Sequence, residues 1–298
     1  MLYGLAALGL RERLIPMDSI TFAAIISAAF MHAAWNAMIK IGLDRFMSMA
    51  LMGLCMGGLS LALAPFFPLP DRAAWPYMIA SLICHIGYNL SLVRAYSLGD
   101  LGQVYPLARG AAPLAVAIIG ALLLSEHLSV MSWLGILVLV SGVWLMALKG
   151  GRAIGGSLHV SAITAALIVS SFIATYTVID GIGGRVSGSP SGYTLWLLAT
   201  EGIAMLAIAV AFRGPAAVLN LRGVWLSGMV AGALSLGAYW IAIWAMSRAP
   251  LGMVAALRET SIFFALALSV MALKEPLTPW RIISAAMIVM GAVSLRLA

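Results

Sequence analysis

Charge is scarce in this sequence. Only 9% of the 298 residues are charged and 63% are hydrophobic, whereas about a quarter of the residues of a soluble protein are charged. A chain with so few charges cannot cover a water-facing surface, which excludes an ordinary soluble fold. The composition predicts an integral membrane protein.

Cysteine and metal-binding patterns are also scarce. The two cysteines, Cys55 and Cys84, lie inside apolar segments without a CxxC spacing. The four histidines lie in separate segments without an HExxH pattern, and no paired acidic clusters are present to hold Mg²⁺ and a pyrophosphate. The lysines and arginines form no basic stripe of the kind that binds nucleic acid. We therefore expect neither an enzyme, nor a cofactor or metal, nor a nucleic-acid partner.

Apolar segments, in contrast, follow one another along the whole chain. A membrane-spanning helix needs about 20 mostly apolar residues, and ten segments of about that length are separated by short polar breaks. The predicted spans are residues 19–41, 46–67, 74–97, 102–124, 130–148, 158–182, 192–212, 223–247, 251–273 and 278–297. We expect an all-α bundle of ten transmembrane helices. Residues 1–16 form an N-terminal extension that lacks the cleavage site of a signal peptide.

The two halves of the chain are weakly similar to each other. Residues 87–114 align with residues 237–264 at an offset of 150, and after one gap the offset becomes 149, which pairs Gly142 with Gly291. The expected five-helix repeats are residues 17–150 and 151–298. Because five is odd, the second repeat enters the membrane from the opposite side, as in the inverted repeats of secondary transporters. Such a symmetry predicts a substrate site near the membrane midplane.

The ends of the two halves share a further pattern. Residues 105–148 and 256–297 each contain a helix of small and apolar residues, an acidic residue followed by Leu, and a last helix that contains Gly. The acidic residues are Glu126 and Glu275. This pattern resembles the EamA-type repeat of the drug/metabolite transporter superfamily, and the length is similar to that of bacterial exporters of aromatic and other amino acids.

The resemblance implies a particular architecture and location. It implies a basket-like bundle in the bacterial inner membrane, with a central cavity lined by spans one, three, four, six, eight and nine. It also implies that both termini are cytoplasmic, whereas the distribution of Lys and Arg mildly favours an outside N-terminus. Two fused repeats can build a complete pathway, so we expect a functional monomer with the lipid bilayer around it.

Polar side chains inside the first and third spans are candidates for lining this cavity. His32 and Asn36 lie four residues apart and share one face of the first span, and His85 and Asn89 do the same in the third, with Tyr88 beside them. The alternative is a seam of hydrogen bonds between helices.

Aromatic and hydroxyl side chains extend the predicted lining into the second half. Tyr239 and Trp240 lie in the middle of the eighth span, and Tyr176 and Thr177 lie in the sixth. Aromatic rings with polar tips suit an amphipathic solute, because they can stack on it or attract an ammonium group. The alternative is that the aromatic residues anchor the protein at the membrane interface.

The fourth span combines two prolines with Tyr105 and Arg109. Because prolines remove backbone N–H donors, we expect an interruption that lines a cavity. Arg109 could bind a substrate carboxylate through its two-pronged donor group. At an offset of 150 its partner is Glu259, next to Arg258, so the alternative is an Arg109–Glu259 ion pair.

The remaining acidic residues receive other interpretations. Glu126 and Glu275 close corresponding spans, which is typical of a packing role. Asp180 precedes a Gly-rich stretch, so we expect it to be solvated. Glu201 lies in the middle of the seventh span, where it could take part in proton coupling or in a hydrogen bond between helices.

These observations favour a secondary transporter that works by alternating access. Its substrates are expected to be small amphipathic metabolites, with aromatic and neutral amino acids first, moved as an exporter or facilitator. The alternatives are a flippase for lipids or lipid-linked sugars and a proton-coupled drug exporter. No acidic residue lies in the first span, where small multidrug exporters of the superfamily carry their cation-binding glutamate, which argues against cationic drugs.

Overall fold

The computed structural model describes residues 17–39, 45–98, 101–149, 160–219, 224–274 and 276–298. These residues form helices and connecting loops, with no strand among them. The long helices are α1 (Ser19–Ile39), α2 (Arg45–Leu63), α3 (Trp75–Leu98), α4 (Leu101–Leu123), α5 (Val130–Lys149), α6 (Val160–Val186), α7 (Pro190–Arg213), α8 (Trp225–Met246), α9 (Leu251–Arg258), α10 (Ser261–Leu273) and α11 (Pro279–Leu297). The predicted all-α fold is confirmed. The expected repeat boundary at residues 150 and 151 and the N-terminal extension lie outside the described residues.

Most of these helices have the length and composition of membrane spans. Eight segments, with α9 and α10 counted as one, are long and apolar enough to cross a bilayer, and Ala108–Leu123 of α4 is a shorter apolar stretch. The helix α3 is long enough but more polar, because it carries His85, Asn89 and Arg94. The chain is therefore a multi-pass membrane protein.

Helix starts are set by local sequence. Ser189 and Thr278 each precede a proline at the first helical position, and their side-chain oxygens accept backbone hydrogen bonds from Gly192 and Arg281. Before α1, the Thr21 backbone N–H donates to the Asp18 carboxylate over 2.7 Å, which lowers the pKa of Asp18 below its usual value.

The surface of the helices is apolar, and several polar side chains lie in the interior together with the apolar core. Large apolar side chains such as Ile20, Leu122 and Leu226 are exposed, whereas Asp180 and Thr194 are completely buried. Such an arrangement suits a lipid environment, because the bilayer solvates apolar side chains and leaves polar ones to find partners inside.

The ninth span, predicted over residues 251–273, is found as one apolar segment over Leu251–Met271, but its helix is interrupted at two residues. Helix α9 ends at Arg258, and α10 begins at Ser261. The N–H groups of Glu259 and Thr260 bond to carbonyls three residues back, and the Thr260 hydroxyl donates to the Leu257 carbonyl over 2.7 Å. These bonds replace the α-helical pattern locally.

The fourth span, where the prolines predicted an interruption, is instead a continuous helix. Despite Pro106 and Pro113, α4 is helical from Leu101 to Leu123. The expected interruption therefore lies in the second repeat, at Glu259 and Thr260, and not in the first.

In two places a helix of the first repeat packs against the corresponding helix of the second repeat, across the pseudo-twofold axis. In the α2–α7 pair, Gly57 lies against Gly202, so that a Cβ atom at Gly57 would lie 2.7 Å from the Gly202 Cα atom. The glycines let the two backbones approach closely.

The α5–α11 pair has reciprocal contacts. Gly135 faces Gly291, and Gly142 faces the Ser284 carbonyl oxygen. At the offset of 149, Gly135 corresponds to Ser284 and Gly142 to Gly291. Each contact is thus the symmetry mate of the other, as in an isologous interface, and the packing fits an inverted repeat.

The helices form two groups, and each helix packs most extensively against other members of its own group. Helices α1, α2, α7, α8 and α10 pack closely and are called the first bundle; α3, α4, α5, α6, α9 and α11 are called the second bundle. Contacts between the bundles are sparse by comparison. Each bundle mixes helices of both repeats, and α9 and α10 belong to different bundles.

The first and last described helices meet at one end of the molecule, called the terminal side. The Arg296 guanidinium donates to the Met17 carbonyl and to the Ser19 hydroxyl, over 3.2 and 2.7 Å. This contact places the start of α1 beside the end of α11, as expected for ten spans.

Substitution of Gly57 by Leu should destabilise the protein, because the added side chain must push α2 away from α7. Overpacking costs about 1–3 kcal/mol, so Tm in detergent micelles should fall by several degrees. Gly58→Leu is the matched control, since a Cβ atom there meets nothing within 4 Å. Equal Tm values for the two variants would contradict the proposed packing role of Gly57.

Candidate functional site

A buried ion pair lies at the break of the ninth span. Arg109 Nη2 lies 2.7 Å from Glu259 Oε1, and Arg109 Nε lies 2.9 Å from Glu259 Oε2. Both residues are buried. The pairing is bidentate, which is the strongest geometry available to arginine and a carboxylate. The interruption between α9 and α10 positions the carboxylate, because Glu259 is the C-cap residue that follows α9.

The ion pair also reaches the first bundle. Arg109 Nη1 lies 2.9 Å from His32 Nε2. Since a guanidinium can only donate, His32 accepts at Nε2. Of the two alternatives for Arg109, the structure forms the ion pair with Glu259, and the predicted substrate role of Arg109 then requires an exchange of partners.

Four aromatic side chains form a cluster next to this pair. The His85 ring stacks on the Tyr176 ring with centroids 4.2 Å apart, and the Tyr239 ring meets His85 edge-on at 5.4 Å. Tyr88 contacts Tyr176 at 5.7 Å. The Arg258 guanidinium lies 5.4 Å from the centre of the Tyr239 ring, within the range of a cation–π contact. His85, Tyr88, Tyr176 and Tyr239 are called the aromatic cluster.

A narrow cleft joins the ion pair to the aromatic cluster. Its polar lining consists of Arg109, Tyr176, Thr177, Arg258 and Glu259. The enclosed space is about 10 Å³, which is the room needed by about one water molecule. Among the described residues, this conformation therefore holds no cleft large enough for a metabolite at that place.

Other predicted lining residues lie elsewhere. Asn36 donates to the His32 carbonyl oxygen of its own helix, at 2.8 Å. Asn89 donates to Glu201 Oε1 over 3.3 Å, which is the interhelical bond considered for Glu201. The Trp240 indole donates to the Ser191 hydroxyl on the terminal side, at 2.9 Å. The side chain of Tyr105 lies outside the described residues.

Asp180 is buried, so the expectation that it is solvated is wrong. Its oxygens accept hydrogen bonds from Tyr193, at 2.9 Å, and from Tyr239. The Gly-rich stretch after it does not form a loop at once, because α6 continues to Val186. The glycines after Asp180 were the signal in the sequence for its burial, since glycines inside a span permit close packing. A Cβ atom at Gly183 would lie 2.5 Å from the Tyr193 hydroxyl.

A second ion pair closes the terminal side. Arg185 Nη2 lies 2.7 Å from Glu126 Oε1, and the other Glu126 oxygen accepts the Leu251 backbone N–H at the start of α9. Arg185 also donates to the Met246 and Ala249 carbonyls. These contacts give Glu126 a packing role, and Glu275 lies outside the described residues.

Trp35 was not among the predicted lining residues. Its ring meets the His32 ring edge-on at 5.0 Å, and its indole N–H is buried without an acceptor among the described residues. Unsatisfied buried donors are rare in proteins and call for an explanation. The sequence offered one signal for Trp35 as a lining residue: it lies about one helical turn after His32, in a span expected to line the cavity.

Removing either partner of the Arg109–Glu259 pair should destabilise the protein. Breaking a buried pair typically costs about 3–5 kcal/mol, because the remaining charge is left uncompensated. We expect Arg109→Met and Glu259→Met each to lower the free energy of unfolding by that amount and the double variant to lose less than their sum. Unfolding in detergent micelles measures the coupling. Strictly additive losses would contradict a direct pair.

Comparisons with known proteins agree with this architecture. Residues 19–148 and 160–297 match the EamA-like transporter family. An uncharacterized transporter in the cobO 3' region of a Sinorhizobium species is 35% identical over 79 residues, which are 26% of this chain and 55% of that protein. The match thus spans little more than half of that relative.

A similar fold is known from crystallography. One solved crystal structure superposes with a TM-score of 0.73 at 20% sequence identity, covering 93% of this chain and 95% of the other. At that identity the likeness concerns the fold alone. The family match extends over both repeats, as the resemblance implied, and the chain belongs to the EamA-like transporter family of membrane proteins.

Proposed function

We propose that this protein is a secondary transporter, and not an enzyme, for aromatic and neutral amino acids. In this proposal it works by alternating access as an exporter or facilitator in the bacterial inner membrane, with the terminal side in the cytoplasm. One chain suffices, since its two repeats, residues 17–150 and 151–298, build the pathway together.

The Arg109–Glu259 pair is the observation that carries the proposal. An amino acid presents a carboxylate and an ammonium group a few ångströms apart, and the pair offers the complementary guanidinium and carboxylate. Substrate binding then exchanges one internal ion pair for two external ones, so that no charge is left uncompensated in the low-dielectric interior. A substrate with a single charge leaves one partner unpaired, which favours zwitterions.

The neighbouring side chains suit the rest of such a substrate. The aromatic cluster offers ring faces for an apolar or aromatic side chain. The buried Trp35 indole N–H, which lacks an acceptor among the described residues, is a donor for a substrate oxygen. Trp35 contacts His32, which contacts Arg109, and Tyr176 of the aromatic cluster lines the same cleft as Arg109.

The two bundles supply the moving parts. Polar contacts cross between them at His32–Arg109, Asn89–Glu201 and Arg185–Met246, whereas the most extensive helix packing lies within each bundle. Polar contacts can be exchanged for water or substrate when the bundles separate, and the extensive packing keeps each bundle intact. The tight cleft and the Glu126–Arg185 contacts correspond to a closed terminal side.

A groove between α10 and α11 bears on the alternative of a lipid flippase. It is about 590 Å³ in volume and lined by apolar residues, among them Phe263, Val270 and Met290. A flippase also needs a polar path for the headgroup, and the groove supplies an apolar surface only. The groove therefore favours contact with acyl chains over headgroup transfer, and the amino-acid proposal stands first.

Flux of labelled Phe, Trp, Met and Thr into proteoliposomes tests the proposal. We expect saturable uptake that is absent from empty liposomes. Phenethylamine, without the carboxylate, and 3-phenylpropanoate, without the ammonium group, should each compete at least about tenfold more weakly than Phe, because each leaves a charge-assisted bond unmade.

Variants of the site give the controls. Glu259→Gln should reduce the preference for Phe over 3-phenylpropanoate, and Glu201→Gln, a matched change of a buried Glu outside the site, should keep it. Equal competition by all three compounds, or competition by lipids and a quaternary-ammonium dye instead, would overturn the amino-acid assignment.

A further inference from the structure

One buried acid takes no part in the proposed substrate site. Asp180 is completely buried near the end of α6. Its Oδ1 atom accepts a hydrogen bond from the Tyr193 hydroxyl of α7, at 2.9 Å, and its Oδ2 atom accepts one from the Tyr239 hydroxyl of α8. Both ion pairs of the described residues involve other carboxyl groups. The Ser81 hydroxyl of α3 also bonds to Asp180, which is thus held by neutral donors, two of them from the first bundle.

The hydrogen bonds from Tyr193 and Tyr239 connect the two bundles. Helix α6 belongs to the second bundle, whereas α7 and α8 belong to the first, and elsewhere α6 packs only sparsely against them. Hydrogen bonds to an ionised carboxylate are about twice as strong as neutral ones. Protonation of Asp180 exchanges two charge-assisted bonds for weaker ones, and so loosens the connection.

Tyr239 links this connection to the substrate site. Its hydroxyl donates to Asp180, while its ring contacts His85 at 5.4 Å and Arg258 at 5.4 Å. A change in the protonation of Asp180 therefore acts on a side chain of the aromatic cluster directly.

Several titratable or charged groups face Asp180 from the surrounding helices. They are Cys84 and His85 of α3, Tyr176 of α6, Tyr193 of α7, Tyr239 of α8 and, across the Tyr239 ring, Arg258 of α9. The Arg109–Glu259 pair lines the same cleft as Tyr176. His85 is an imidazole that contacts the same Tyr239 ring, so any test must separate it from Asp180.

From this geometry we propose that Asp180 is the proton-binding residue that couples transport to a pH gradient. The proposal rests on the proposed function, because coupling presupposes a transported substrate. In each cycle Asp180 takes up a proton on one side of the membrane, the connection to Tyr193 and Tyr239 loosens, the bundles rearrange, and the proton leaves on the other side.

Proteoliposomes containing the full chain test this coupling. Under an imposed gradient of one pH unit, the wild type should accumulate labelled Phe up to about tenfold, the limit for one proton per substrate. Asp180→Asn should abolish accumulation but retain Phe–Phe exchange, which needs no net proton movement. Asp71→Asn, an exposed acid on the terminal side, is the matched control and should accumulate Phe like the wild type.

A second pair of variants tests the role of Asp180 if the Asp180→Asn variant does not fold. Tyr193→Phe removes one donor to the carboxylate and should move the pH midpoint of Phe flux upwards by about one unit. Tyr77→Phe, a tyrosine of α3 outside the cluster, should leave the midpoint unchanged.

The outcomes separate the two proposals. Absence of amino-acid exchange by the wild type would remove the proposed function itself. Exchange without accumulation in the wild type, or accumulation by Asp180→Asn at the wild-type level, would overturn the role of Asp180 alone. Loss of accumulation in His85→Gln or Glu201→Gln, with Asp180→Asn unaffected, would reassign the proton site.

Discussion

The bilayer offers no hydrogen-bond partners, and the rest of this structure follows from that constraint. A polar side chain within a span is stable when another helix satisfies it, as Glu259 satisfies Arg109 and Tyr193 satisfies Asp180. Because partners must come from other helices, polar residues decide which helices meet. The interface with the least extensive packing also holds many of the directional interactions between helices.

Symmetry explains how a weakly repetitive sequence forms this arrangement. Corresponding helices of an inverted repeat meet at the pseudo-twofold axis, and small residues recur at these contacts: Gly57 faces Gly202, Gly135 faces Gly291, and the symmetry-related Gly142 faces Ser284. The axis also brings together positions of opposite charge, Arg109 and Glu259. The repeats have therefore diverged where chemistry requires two different groups and stayed alike where backbones touch.

The membrane fold was predictable from the sequence, because the span count depends on composition and on the spacing of apolar segments. The Arg109–Glu259 contact was predictable as one of two alternatives, since the offset of 150 pairs the two positions. The break at Glu259 and Thr260 and the burial of Asp180 were not predictable, because both depend on hydrogen bonds and packing in three dimensions. Prolines in α4 gave a misleading signal, since the helix runs from Leu101 to Leu123 through both of them.

The interruption of the ninth span has a mechanical consequence. Helices α9 and α10 belong to different bundles, and two residues join them, the shortest of the described connections between the bundles. A rotation of one bundle against the other must be absorbed there by four backbone torsion angles. Two of those angles belong to Glu259, whose carboxylate pairs with Arg109. The backbone that would turn with the bundles therefore also carries the charge that faces Arg109.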